Sequence, residues 1–97
     1  MAIKISPSVR EKLTNKHRVN EEEIGQCFAN RTHGYCVDLR AEHLTNPITR
    51  WFISETDVGR KLKVAFVPIQ GDVHIRTAYP PNEEEISLYN DTALPIN

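Results

Sequence analysis

Residues 59–89, GRKLKVAFVPIQGDVHIRTAYPPNEEEISLY, decide how this chain is read. Leu62, Val64 and Phe66 alternate with Lys61, Lys63 and Ala65. After a turn at Gln70-Gly71-Asp72, Val73, Ile75 and Thr77 alternate with His74, Arg76 and Ala78. Strict period-two alternation marks half-buried antiparallel strands, so a hairpin is predicted. If one face is core, the other carries Lys63, His74 and Arg76, and function is to be sought there. Pro68 near the end of the first strand predicts an edge or a bulge. Pro80-Pro81 then stops the second strand. Asn82 with Glu85 has the spacing of a capping box and opens a helix to about residue 90, burying Ile86 and Tyr89. Residues 91–97 have no pattern and read as a flexible tail.

Upstream, residues 2–5 with Ile3 and Ile5 suit a short edge strand. Ser6 before Pro7 is a helix start, with Ser8 and Glu11 offering a capping box one step later. Val9, Leu13 and His17 fall on one face, and Arg10, Lys12 and Lys16 on a cationic opposite side. Asn20 with Glu23 repeats the capping box and opens a second helix over 21–29, with Ile24, Cys27 and Phe28 facing the core. Its three glutamates complement the helix dipole, and Val19 is placed as a staple against Ile24. Tyr35, Val37 and Leu39 alternate with Cys36, Asp38 and Arg40 as one strand. Residues 41–48 read as a mobile loop. Residues 50–56, apolar on both sides at Trp51, Phe52 and Ile53, read as a central strand. Asp57-Val58-Gly59 is the turn into the hairpin. The expected fold is one α+β domain over residues 1–90: a small antiparallel sheet of three to four strands, two N-terminal helices and a C-terminal helix.

The 97 residues hold 12 basic and 13 acidic side chains, a formal net charge of −1. Binding of nucleic acid by bulk charge is therefore not expected. Two glutamate triplets hold six of the 13 acids, which leaves 12 bases against seven acids elsewhere and allows a local basic face. No apolar run approaches the roughly 20 residues of a membrane span, and the start lacks a secretory signal, so a cytoplasmic protein is expected. Cys27 and Cys36 read as reduced, small buried residues. His17, His33, His43 and His74 lack zinc-site spacing, so no metal or other cofactor is expected.

Lys16-His17, Val19, Glu22-Glu23 and Phe28 together resemble the KHGVSFEEA…F segment of BrnT-type toxins. Phe52-Ile53, Arg60, Leu62 and Val64 resemble the strand pair that follows in that family. Ala78, Glu85 and Tyr89 fall where its SAR…E…Y ending would put them. The resemblance spans residues 9–89 and implies a RelE-like fold. It further implies a small metal-independent ribonuclease toxin of a type II toxin-antitoxin system, inhibiting translation. The implied partners are RNA and a cognate antitoxin, in a dimer or a toxin–antitoxin hetero-oligomer, with no membrane. The family's arginine after the serine-alanine pair is Tyr79 here, with Thr77 in the serine's place, and Arg76 stands where the family has an apolar residue. The resemblance therefore leaves two outcomes: a cation moved three residues along the strand, or activity lost or altered.

Metal-free RNA cleavage needs a base for the 2′-hydroxyl, cations for the developing charge and an acid for the leaving oxygen. Arg76, Tyr79, His17 and His74 are the catalytic candidates. Arg60, Lys61, Lys63, Arg50 and Lys16 are the candidates for holding RNA phosphates. Imidazole titrates near neutral pH, and a phenol can donate a proton or stack on a base. Plainer readings stand beside these: His17 as a helix C-terminal cap, His74 as a solvated or interface residue, and Arg60 as a ligand of a backbone carbonyl or Asp57. Trp51 and Tyr89 read as core, and His33 and His43 as loop residues. The rival function is a catalytically degenerate, toxin-like interaction module or regulator that binds a protein partner. A DNA-binding module fits less well, because the second helix is acidic at its start, opposite to a recognition helix.

Overall fold

Gln70 and Gly71 both take left-handed backbone angles (φ 51° and 83°), the conformation that joins two antiparallel strands through a two-residue turn. The strands so joined are β4 (Lys61–Ile69) and β5 (Asp72–Tyr79). On the far side of β4 runs β3 (Arg50–Glu55), then β2 (Cys36–Val37). On the far side of β5 runs β1 (Ile3–Lys4). The computed structural model describes residues 1–40 and 45–96, so four residues of the loop expected at 41–48, His43 among them, lie outside the described residues. Among the described residues the order is β1-β5-β4-β3-β2.

The α+β class holds, but the sheet has five strands and is mixed. The short edge strand expected at residues 2–5 forms as β1, and it makes the sheet mixed by pairing parallel with β5 at Ile3–Val73 and Lys4–His74. Backbone donors fix it there: the Ala2 amide donates to Asp72 Oδ1 at 2.9 Å, and the Val73 amide to the Ala2 carbonyl at 2.9 Å. Pro68 sits where β4 has run past its last pairing with β3, Arg50–Phe66, so β4 is locally an edge and the missing N–H costs nothing.

Helices α1 (Pro7–Lys12) and α2 (Glu21–Ala29) start where their caps predict. Ser6 Oγ accepts from the Val9 amide, and Asn20 and Glu23 bond each other's backbone N–H reciprocally. Between them α1 continues as a π-helical segment, Leu13–His17, closed by Arg18 at φ 54°. Leu13, Val19, Ile24 and Cys27 are buried under this layer against Phe52, Leu62, Val64 and Phe66, with Phe28 tilted against Phe52 and edge-on to Phe66. Each of these fully buried apolar side chains contributes about 1.5–3 kcal/mol. Helix α3 (Glu83–Thr92), capped by Asn82 and Glu85, lies on the opposite face, where Tyr89 meets Trp51 at 5.6 Å between ring centres.

Two strand readings need correction. The strand expected from Tyr35 shrinks to Cys36–Val37, and its inward side is reversed: Val37 and Leu39 are exposed while Asp38 is buried. Asp38 is neutralised by Arg40, whose Nε and Nη2 donate to its two oxygens at 3.0 and 2.9 Å, so the carboxylate can turn inward. The strict alternation of β5 also breaks. Ala65 pairs with Thr77 but Phe66 pairs with Ile75, which leaves Arg76 as a bulge. Ala78, not Thr77, therefore enters the core. Residues 93–96, expected to be loose, lie beside residues 32–34 through Gly34 N–H to Leu94 carbonyl (2.7 Å) and Ile96 N–H to Thr32 carbonyl (2.9 Å). Among the described residues no helix is long and apolar enough to cross a membrane.

Candidate functional site

The face of the sheet that carries Trp51, Lys63, Ala65 and Tyr79 is only partly covered by α3. What remains open is a cleft of about 370 Å³. Trp51 and Ala65 form its floor, Asp38 and Arg40 one wall, and Lys12, Arg76, Thr77 and Tyr79 the other, with Lys63 between. The β5 bulge makes that second wall. With one residue inserted between the paired positions, Arg76 and Thr77 both line the cleft, which plain alternation would forbid. Lys12 reaches the same place from α1, its Nζ donating to the Arg76 carbonyl at 3.2 Å.

At one end of the cleft Lys63, Tyr79 and Glu85 form a cluster. Lys63 Nζ donates to Glu85 Oε2 at 2.7 Å and the Tyr79 hydroxyl donates to the same oxygen at 2.6 Å. Lys63 is 9 % exposed, a burial that an ammonium tolerates only when paired. Its Nζ also lies 4.6 Å from the Trp51 ring centre and 5.7 Å from that of Tyr79. Burial, then the hydrogen bond to Glu85, pushes the Tyr79 phenol up to about 12, so it stays protonated at neutral pH. Glu85 is pulled both ways. Burial raises its carboxyl, but the hydrogen bonds from Lys63, Tyr79 and the Asn82 amide outweigh that and hold it below the ordinary carboxylate value.

The structure thus brings Arg76, Tyr79 and Lys63 together and adds Lys12, Arg40, Thr77 and Glu85, which sequence reasoning did not assign to a site. From the sequence Glu85 reads as a cap and as a match to the resembled family's ending, not as a site residue; it is a cap, through Oε1, and its second oxygen gives no local sequence signal. Lys12 was visible as part of a cationic helix side, without any indication that this side faces β5.

The other candidates lie elsewhere. His17 sits at the end of the π-helical segment, outside the cleft lining, with its ring centre 5.5 Å from that of Tyr79. Burial, Lys16 and Lys12 lower its pKa, so the imidazole is neutral at pH 7. His74 lines an adjoining recess with Lys4, Ser6 and Val9, which shares Arg76 with the cleft, and it does not line the cleft itself. Arg60 is structural: Nη1 donates to the Arg18 carbonyl (2.8 Å) and to Glu23 (2.9 Å), and Nη2 to the His17 carbonyl (3.1 Å). It binds carbonyls, as one reading held, but not Asp57, which instead accepts from Asn30. Lys61 lines a larger recess of about 610 Å³ whose other groups are mainly neutral or acidic. Lys16 and Arg50 are exposed and outside the cleft lining. Trp51 and Tyr89 are buried, Trp51 also serving as cleft floor, and both cysteines are free. Among the described residues no group of three or more His, Cys, Asp or Glu is arranged to hold a metal ion.

No protein-family model matches the chain, and no curated protein matches it.

Proposed function

We propose that this chain is the toxin of a type II toxin-antitoxin pair, a BrnT-like member of the RelE-type fold that cleaves RNA in the cytoplasm and so inhibits translation. The observation that carries the reading is the convergence of Lys12, Lys63 and Arg76 with the Tyr79 phenol on one cleft of a near-neutral protein. Cations concentrated in a partly enclosed groove suit a phosphodiester and its more highly charged transition state. Arg76, carried in by the bulge, supplies the charge that the family places at the position of Tyr79. Tyr79 serves as the acid: a phenol held at about 12 keeps its proton at pH 7, and a leaving alkoxide is more basic still. His17, outside the cleft lining but with its ring centre 5.5 Å from that of Tyr79, is the base candidate, its pKa lowered by burial, Lys16 and Lys12. His74 lines another recess and has no part in the mechanism proposed. A protein antitoxin would silence the site.

One observation favours the rival reading, a degenerate toxin that only binds a partner protein: Lys63 and Tyr79 are already satisfied by Glu85. Expression of the chain separates the two. Growth arrest, relieved by the product of a neighbouring small gene and accompanied by cleaved RNA, is the expected result. Arg76→Ala should weaken RNA binding about tenfold, as loss of one charged phosphate contact does. Tyr79→Phe should slow cleavage by about 10²–10⁴ with the domain still folded. Unaffected growth with RNA and translating ribosomes left intact would sink the ribonuclease reading.

A further inference from the structure

We infer that Glu85 is a positioning residue of the cleft, holding Lys63 and Tyr79 as one unit through a single carboxylate oxygen and restraining the cleft's affinity for anions. The inference deepens the ribonuclease reading and rests on it for the identity of the ligand, though not for the role of Glu85 itself.

Three features support it. First, both donors meet the same atom: Lys63 Nζ at 2.7 Å and the Tyr79 hydroxyl at 2.6 Å from Oε2. A carboxylate needed only as a helix cap would use Oε1, which accepts from the Asn82 amide at 3.0 Å, and leave Oε2 to water. Second, Glu85 is itself fixed at both ends, because its own amide donates to Asn82 Oδ1 at 2.8 Å. Its side chain therefore carries the rigidity of the first turn of α3 into the cleft. Third, Glu85 neutralises the cation of the cleft that is withdrawn from water. Among the described residues of the lining Lys12, Arg40 and Arg76 are exposed, whereas Lys63 is buried, so its pairing decides how strongly the interior attracts an anion.

A phosphate entering the cleft meets Lys63 already engaged and has to share it with Glu85. The Tyr79 proton is likewise directed to Glu85 Oε2 until a more basic oxygen is presented. Glu85 thus holds the acid in its protonated form and aligned, at the cost of weaker ground-state anion binding. That trade is favourable for catalysis, since charge that develops later in the reaction competes better with Glu85 than the resting phosphodiester does.

The test is Glu85→Gln, which retains the capping interaction, because glutamine serves at the third helical position as glutamate does. Two readouts are made on the full chain. Tyr79 ionisation is followed by NMR of the tyrosine ring carbon, with Tyr79→Phe identifying the signal. In the parent Tyr79 should remain protonated at pH 11. In Glu85→Gln it should ionise at a lower pH than in the parent, yet still above the ordinary phenol value of about 10, because burial, the larger cause of the shift, remains. Binding of a non-cleavable 2′-O-methyl single-stranded oligonucleotide should tighten roughly threefold to tenfold at low salt, and cleavage of ordinary RNA should fall, so that KM and kcat decrease together. Neutralising a glutamate that merely neighbours the cleft would tighten binding only slightly and leave the Tyr79 titration unchanged. An unchanged Tyr79 titration, or binding equal to or weaker than the parent's, overturns the inference. If neither protein binds the oligonucleotide, the ribonuclease reading fails, and the Tyr79 titration alone decides the role of Glu85. Should Glu85→Gln not fold, Tyr79→Phe and Lys63→Met carry the test through the carboxyl of Glu85. Its titration should move up in each, and no movement in either overturns the inference.

Discussion

The sequence Asn-Glu-Glu-Glu occurs twice, at residues 20–23 and 82–85, and each copy starts a helix with the same reciprocal cap. In both, the asparagine side chain accepts from the glutamate amide at 2.8 Å, and one oxygen of that glutamate accepts the asparagine amide. The second oxygen distinguishes them. Glu23 Oε2 pairs with Arg60, whose other donors hold the carbonyls that end the π-helical segment. Glu85 Oε2 pairs with Lys63 and Tyr79 in the cleft. The first closes the fold and the second sets the charge of a site. Identical local chemistry acquires different work from what the sheet places opposite it: the residue just before a strand at Arg60, or a strand interior at Lys63 and a strand end at Tyr79.

The largest expected difference follows from removing the partner cation in each copy. Arg60→Ala strips donors from two helix-end carbonyls and leaves Glu23 unpaired, in a place where Arg18 already occupies a left-handed backbone conformation. It should cost about 2–3 kcal/mol in denaturant unfolding. Lys63→Met keeps the volume and the contact with Trp51, and Glu85 retains Tyr79 and its cap. When Glu85→Gln is added, no buried charge is left without its partner, so the stability of the double variant should change by no more than about 1 kcal/mol, while RNA cleavage falls about 10–100-fold in Lys63→Met. If the double variant unfolds as readily as Arg60→Ala, the division between fold and site is wrong.

The pH dependence sharpens the same contrast. Glu85 titrates lower in the folded chain than its ordinary value near 4.3, so its contribution is complete above that value and is lost as pH falls through the folded pKa. Tyr79 is raised, so its contribution is complete below about pH 10 and disappears as pH climbs towards 12. Denaturant midpoints should therefore fall at both extremes. Tyr79→Phe should flatten the alkaline limb, although Cys27, pushed up to about 11 by burial, keeps part of it. Glu85→Gln should flatten the acid limb. An acid limb identical in parent and Glu85→Gln would mean that the hydrogen bonds to that carboxylate contribute nothing to stability.

What could be read from the residues follows a physical boundary between local and distant partners. Caps at Ser6, Asn20 and Asn82, the turn at Gln70-Gly71 and the core faces of α2 and β4 depend on neighbours a few residues away, and all were legible. The edge strand β1 was legible as a strand, but its parallel pairing was not, because its orientation depends on Asp72 and Val73, some 70 positions along the chain. The bulge at Arg76 is a single unpaired residue in a run that alternates without a break, so nothing in β5 alone announces it. It nevertheless decides which side chains enter the cleft. Asp38 faces inward for a different reason, since its bidentate pairing with Arg40, only two residues on, outweighs the pull of Val37 and Leu39 towards burial. For the site, the best residues read from the sequence, Arg76 and Tyr79, do line one cleft. Glu85 was hidden by its own capping role, and Arg60 was misleading because its partners are two carbonyls and a carboxylate from other elements.

The smallest expected effect lies in the glutamates that precede each working one. Glu22 and Glu84 are both exposed in the first turn of their helices. Each interacts with the helix N-terminus as a point charge, worth about 0.3–1 kcal/mol and screened by salt. Glu22→Gln and Glu84→Gln should therefore cost the same few tenths of a kcal/mol at low ionic strength, and the loss should shrink in both as salt is raised. RNA binding offers the finer discrimination. Loss of a negative charge from α2 should leave it unchanged, whereas loss from α3, the helix that carries Glu85 into the cleft, should tighten it slightly. Equal RNA affinities in the two variants would confine the electrostatic influence of α3 to the single oxygen of Glu85.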